Sequence, residues 1–284
     1  MKAIDSLLAG LIDYAGLYPP AGLDMHSAVR SYLSYGRSKH APALGRFIVD
    51  LNRLTELREE VGDSMRDMRL SVIATPAADW ESLALLLEDG FPIDMVEVKP
   101  TRTSEIERIT KRIPSTLKTY CEVPVDPPDS NLFEAISAAG ACAKLRMGGV
   151  IAEAFPSVQA TAKTLKALAD RRIAFKATAG LHHAIRSSHP FTYEPKSAAG
   201  IMHGFLNLCC AAALLHFGGE AGEAERLLEE QNPDAWQVTP DAVAWCNFCW
   251  SAEQLGAVRR EFLISFGSCS FEEPIHDLEA MGWL

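Results

Sequence analysis

Short apolar runs alternate with amphipathic segments along most of the chain. The runs at 11–16, 45–51, 68–75, 93–100, 117–125, 141–149, 173–180 and 262–270 are short and largely apolar, as strands covered on both faces are. Between them, 24–36, 54–65, 79–90, 104–113, 130–140 and 157–171 place apolar residues at helical spacing. Ser130 is expected to cap the fifth of these helices and Gly140 to end it. Successive strands lie about 25–30 residues apart for much of the chain, the length of a βα unit. Eight such strands separated by helices predict an α/β fold, a (β/α)8 TIM barrel. A doubly wound sheet is the alternative, but the chain has no G-x-G-x-x-G turn to favour dinucleotide binding.

The seventh unit breaks the rhythm. A polar loop at 187–197 is followed by an apolar stretch read as one helix over about 197–217, a second helix at 220–231, a small hairpin at 236–248 and a helix at 251–262 capped by Ser251. The chain is therefore expected to be one barrel domain, 1–284, with 219–260 as a helix and hairpin insertion before the last strand. The N-terminal segment reads as a helix leading into a strand, not as a signal peptide.

Composition narrows the function. With 284 residues, 48% of them hydrophobic, the chain can bury a large core, and a net charge of −10 disfavours nucleic acid and membrane surfaces as partners. The longest apolar stretch, 200–219, is interrupted by His203, Asn207 and His216, so no membrane span is expected. Of seven cysteines, Cys121, Cys142, Cys209 and Cys210 sit in apolar runs, which predicts reduced core thiols and a cytoplasmic location. Cys246 and Cys249 form a single C-x-x-C, read as shielded packing in preference to a zinc site.

Side chains two apart on a strand share a face. Glu97 and Lys99 share one in "DMVEVKP", as do Tyr120 and Glu122 in "TYCEVP", Lys144 and Arg146 in "AKLRMGG", and Lys176 and Thr178 in "FKATAG". Four successive strands thus carry charge near their C-terminal ends. On the helix-covered outside an unpaired charge would cost several kcal/mol, about the desolvation penalty of a buried ion. The inward face at the C-terminal mouth opens to solvent, and barrel active sites lie there. An ion-pair ring that merely closes the barrel is the bland alternative.

Lys144 and Lys176 occupy corresponding positions on consecutive strands. Like charge is expected to push one of them from about 10.4 toward neutrality. A neutral lysine amine adds to a carbonyl and gives a Schiff base. Lys144 is the preferred nucleophile and Lys176 its perturbing partner, with the roles exchangeable. Glu97 and Glu122 are the candidate acid/base groups, and Lys99 and Arg146 the candidate contacts for a substrate carboxylate or phosphate. "AKLRMGG" followed one unit later by "FKATAGLHH" resembles the paired strand-end lysines of class I aldolases of the deoxyribose-phosphate aldolase type, "IDMVEVKP" is similar to that family's middle strand, and the resemblance covers about residues 90–185. The resemblance implies a Schiff-base lysine on the sixth strand and a second lysine on the seventh. The chain departs from the pattern where Glu97 or Lys99 stands in place of an aspartate. "DYAGLYPPA" and "FGSCSFEEP" also resemble segments of a bacterial protein family, a likeness that implies no function.

In "FGSCSFEEP", Gly267 and Ser268 are expected after the last strand, with Ser270 and Glu273 as a capping box whose helix start offers N–H groups to an anion. His182 and His183 are neighbours, and one can face the mouth as an acid, base or substrate contact. His203 reads as a core histidine. The expected activity is lyase or aldolase chemistry on a small oxygenated carbonyl compound, with a small-molecule substrate as partner, no metal and no cofactor. A sugar isomerase or epimerase on the same barrel, with or without a divalent metal held by Glu97, Glu122 and a histidine, is the second reading. A non-catalytic ligand-binding barrel is the third. A homo-oligomer is compatible with all three.

Overall fold

The computed structural model describes residues 2–284. Eight strands close into a barrel, every neighbouring pair parallel: β1 (Ile12–Tyr14), β2 (Leu44–Asp50), β3 (Leu70–Ala74), β4 (Ile93–Val98), β5 (Lys118–Val123), β6 (Cys142–Arg146), β7 (Phe175–Thr178) and the last, Leu263–Ser268. The first seven follow one another around the wall, and Leu263–Ser268 closes it between β7 and β1. This is the expected (β/α)8 TIM barrel. Among the described residues no helix is long and apolar enough to cross a membrane.

The helices α1 (Ala3–Leu8), α2 (Met25–Tyr35), α3 (Leu54–Val61), α4 (Trp80–Glu88), α5 (Thr103–Thr110), α6 (Ser130–Ala138) and α7 (Val158–Asp170) occupy the first six crossovers and the N-terminus. The α6 cap differs from expectation by one residue. Asp129, not Ser130, accepts the N–H groups of Asn131 and Leu132, because a carboxylate at that place satisfies two orphan donors. Gly140 follows the helix with φ +63°, the left-handed geometry that ends it.

Between β7 and the last strand the sequence reading needs two corrections. The polar stretch 187–190 and the start of the supposed 197–217 helix pair as an antiparallel ribbon, β8 (Ser187–Pro190) with β9 (Ala199–Met202). The helix α8 begins only at Phe205 and runs to His216. The ribbon is half polar and largely exposed, so it leaves no hydrophobic period to detect. Residues 219–260 hold α9 (Ala221–Glu229), a three-stranded antiparallel sheet of β10 (Trp236–Val238), β11 (Ala242–Trp245) and β12 (Phe248–Ser251), and the start of α10 (Ala252–Glu261). Ser251 caps α10 as expected. Cys246 and Cys249 are exposed, not shielded, because the first lies in the turn between β11 and β12 and the second on the edge strand β12. The last barrel strand is β13 (Leu263–Ser268), followed by α11 (Glu272–Ala280).

The large apolar core lies outside the barrel wall. Tyr14 packs against Tyr32 and Phe47, Phe175 against Phe262, and Phe205 against Phe266. The barrel interior is different. Its apolar part is a small plug of Met95, Tyr120 and Ile264 with Cys142 and Ala174 against it. On their strands Met95, Tyr120, Cys142 and Ala174 stand two residues before Glu97, Glu122, Lys144 and Lys176. Strand parity therefore stacks an ionic layer directly on the plug, on the side of the strand C-termini.

Candidate active site

The ionic layer is a chain of alternating charge. Lys176 Nζ donates to Asp13 Oδ2 at 2.7 Å and to Glu97 Oε1 at 2.5 Å. Lys144 Nζ lies 2.8 Å from Glu97 Oε2 and 3.1 Å from Glu122 Oε2. Lys99 Nζ at 3.1 Å and Arg146 Nε at 3.4 Å reach the other Glu122 oxygen, Oε1, from the mouth. Ser71 donates to Glu97 at 2.6 Å and Ser265 to Asp13 at 2.6 Å, while Arg46 approaches Asp13 at 3.5 Å and binds Asp94 at 2.6 Å. Asp13, Glu97 and Lys176 are 0–1% exposed. Burial at that level is tolerable only with partners on every side.

Lys144 and Lys176 are register partners on adjacent strands. The expected push of mutual repulsion toward neutrality does not prevail at Lys144, because Glu97 stands between the two ammonium groups. Burial alone would lower the Lys144 amine, but the charges of Glu97 and Glu122 outweigh it and hold the amine above its ordinary value. Burial would likewise raise the carboxyls of Asp13, Glu97 and Glu122. Lys176 and Arg46 around Asp13, Lys144 and Lys176 around Glu97, and Lys144 and Arg146 around Glu122 overcome that and hold all three below the usual carboxylate range.

These shifts fix the pH dependence of folding. A carboxyl held low in the folded state binds its proton more readily when unfolded, so its stabilisation is complete above about pH 5 and is lost as pH falls through roughly 4 and below. Lys144 acts in the opposite sense: its contribution is complete below about pH 10 and is lost as pH rises beyond that. Urea midpoints are therefore expected to be level between these limits and to drop steeply below about pH 4. Midpoints unchanged at pH 3 would contradict the ion-paired interior.

Two cavities open above the layer. One of about 1230 Å³ is lined by Lys99, Glu122, Lys144, Arg146, Tyr18 and Asp50 among others. A smaller one of about 310 Å³ is lined by Lys144, Arg146, Thr178, His182, Gly267 and Cys269 among others. Glu97, Lys144 and Arg146 border both. Lys176 borders neither and lies beneath, 5.9 Å from the Tyr120 ring. The turns after β6 and β7 bring the strand ends together: a Cβ on Gly180 would meet Gly148 Cα at 2.8 Å, and Gly180 has φ +69°. Only glycine fits such an approach.

Of the residues expected at the site, Glu97, Lys99, Glu122, Lys144, Arg146, His182 and Gly267 line the cavities. Three do not. His183 turns away, with Nδ1 3.1 Å from Asp277 and its ring stacked on His189 at 3.3 Å, because α11 supplies a carboxylate behind the loop. Ser268 is buried within β13, where its Oγ accepts the Ser270 N–H. Lys176 serves the interior. Gly267 is also inside β13 and not after it. The capping box is half formed. Ser270 Oγ accepts the Glu273 N–H at 3.1 Å, but the Glu273 carboxylate binds His182 and Tyr193 instead of the backbone. The first turn of α11 also carries its own acids, Glu272 and Glu273.

Sequence reasoning missed Asp13, Ser71, Ser265 and Arg46. Asp13 had a signal, an acid in an apolar run next to the closing strand, but its lysine partner is 163 residues away. His203 behaves as expected: its Nε2 meets the Pro156 carbonyl at 2.8 Å, and burial pushes its imidazole down to about 4.

The chain matches no protein-family model and no curated protein. Among solved structures it is similar to FabK from Thermotoga maritima, with 17% identity over 65% of this chain and 56% of that one at a TM-score of 0.37. It is also similar to the muconate lactonizing enzyme from Pseudomonas putida, with 14% identity over 84% of this chain and 62% of that one at a TM-score of 0.36. The chain spans less than two thirds of the length of either structure. Likeness at that level says nothing of activity, and the barrel assignment rests on the closed parallel strand order itself.

Proposed function

We propose that the chain is a lyase of the aldolase type that acts on a small oxygenated carbonyl compound bearing an anionic group, through a Schiff base at Lys144. One observation carries this reading. Lys144 borders both cavities while two carboxylates, Glu97 and Glu122, lie 2.8 and 3.1 Å from its Nζ, and Glu122 is the one that opens to the mouth. Lys176 has the same chemistry but no access to either cavity.

The rest state holds Lys144 charged, so the nucleophile must be released. Lys99 and Arg146 are 73% and 51% exposed at the side chain and share Glu122 Oε1. A substrate phosphate or carboxylate in the mouth competes for both cations. Glu122 then becomes the stronger base and accepts a proton from Lys144. The neutral amine adds to the carbonyl carbon and gives a carbinolamine. Glu122 returns the proton to the carbinolamine hydroxyl, water leaves, and an iminium remains on Nζ. Glu97 stays ionised throughout, held by Lys176 and Ser71. It steadies the cation at Lys144 before and after the addition.

The test is borohydride reduction in the presence of small ketones and aldehydes, with and without a phosphate or carboxylate, followed by peptide mapping. The expected product is a stable adduct on the peptide that carries Lys144, formed most readily with the anionic compounds. Turnover of a sugar with no adduct would replace this reading with the isomerase. Binding without adduct or turnover would leave a non-catalytic barrel.

A further inference from the structure

The smaller cavity that Lys144 borders is also lined by a group that iminium formation does not need. His182 follows β7 and lines that cavity with a side chain that is 10% exposed. Its Nδ1 lies 2.8 Å from Glu273 Oε2 on α11, and the same oxygen accepts the Tyr193 hydroxyl at 2.9 Å. Tyr193 belongs to the turn between β8 and β9, so three separate elements meet at one carboxylate oxygen. Burial would raise the Glu273 carboxyl, but the hydrogen bond from His182 holds it low, so it remains an acceptor. A carboxylate on Nδ1 fixes both the tautomer and the angle of an imidazole. In the neutral ring a carboxylate at Nδ1 places the proton there and leaves the Nε2 lone pair free. Among the described residues Nε2 has no hydrogen-bond partner.

The strand-end carboxylates are poorly suited to taking a proton from carbon or from a substrate hydroxyl. Glu97 is held by Lys176 and Ser71, and Glu97 and Glu122 lie 2.8 and 3.1 Å from Lys144 Nζ, where both face the iminium cation. His182 Nε2, without a hydrogen-bond partner among the described residues, has no such competition.

We propose that His182, oriented by Glu273 and Tyr193, is the acid/base group for the carbon-centred step that follows iminium formation, a role that rests on the Schiff-base reading of Lys144. In the cleavage direction Nε2 takes the proton of the substrate hydroxyl two carbons from the nitrogen-bearing carbon. The O–H electron pair forms the new carbonyl and the carbon–carbon bond breaks. Its electrons form the enamine double bond, and the iminium π pair moves onto nitrogen. The imidazolium then returns its proton to the enamine carbon, and hydrolysis of the iminium frees the second product. In the absence of a cleavable bond the same base exchanges the hydrogens next to the iminium carbon with solvent. His182 touches the reacting atoms; Glu273 and Tyr193 act through it as positioning residues.

Acetone, pyruvate and dihydroxyacetone separate the two steps. Borohydride trapping reads iminium formation, and hydrogen exchange in deuterium oxide, followed by proton NMR, reads the carbon-centred step. His182→Gln is expected to trap within about twofold of the parent and to lose about 100-fold or more of the exchange rate, the usual contribution of a general base. Glu273→Gln and Tyr193→Phe are expected to slow exchange by smaller factors with trapping unchanged, a split that a purely structural tie would not produce. Exchange at the parental rate in His182→Gln would overturn the proposal. So would a parallel fall of trapping and exchange, which would make the histidine a structural tie between loop and helix. If the parent traps none of the three compounds, the Schiff-base reading itself fails, whatever the histidine variant does.

Discussion

Glu97→Ala is expected to cost about 3–5 kcal/mol of folding stability at neutral pH, the range for removing one partner of a buried ion pair. Glu97 is 1% exposed, accepts from Ser71 and Lys176, and lies 2.8 Å from Lys144 Nζ. Without it Lys176 keeps only Asp13 as an anionic partner, and Lys144 keeps only Glu122. The two lysines, register partners on neighbouring strands, then face each other with nothing of opposite sign between them. The loss should shrink as pH rises beyond about 10, where a lysine sheds its proton and needs no counter-ion. Urea unfolding at pH 7 and pH 10.5 measures both effects. A loss below about 1 kcal/mol at pH 7, the scale of an exposed pair, would show that the layer is solvated and not the dry network described.

The second large effect separates the two lysines. Lys144→Arg keeps a cation between Glu97 and Glu122 but cannot form a Schiff base. It is expected to fold, to give no borohydride adduct and to lose at least about four orders of magnitude in turnover, the scale seen when a covalent nucleophile is removed. Lys176→Met should fail differently. It leaves Asp13 and Glu97, which are 0% and 1% exposed, with only Arg46 and Lys144 as cationic partners, and its main cost should be about 3–5 kcal/mol of stability. Adduct formation at Lys144 in whatever folded Lys176→Met protein survives would complete the separation. An adduct that moves from Lys144 to Lys176 in the parent would reverse the assignment.

Strand parity made much of this legible. The barrel follows from the spacing of apolar runs, and the inward face follows from charges at alternate positions near strand ends. What parity cannot supply is which charges meet across the interior. Glu97 was visible as a strand-end acid, but its place between two lysines depends on barrel closure, which brings β4 opposite β7. Asp13 needed the same closure to find Lys176. The β8–β9 ribbon went unseen for another reason. Its strands are short and solvated, so hydrogen bonding and not hydrophobic burial defines them. His183 misled because adjacency in sequence said nothing of Asp277, which arrives from α11.

An interior made of matched charges also constrains how such a barrel changes over generations. A hydrophobic interior drifts one residue at a time, because a methyl group lost in one place can be regained nearby. Here the count must stay even. Exchange of Asp13, Glu97, Lys144 or Lys176 for a neutral residue leaves an odd charge in the dark, and reversal of one sign leaves two. Descendants that alter this layer should therefore do so in pairs. A lineage that has lost one of these acids while keeping both lysines would have had to let water into the barrel first.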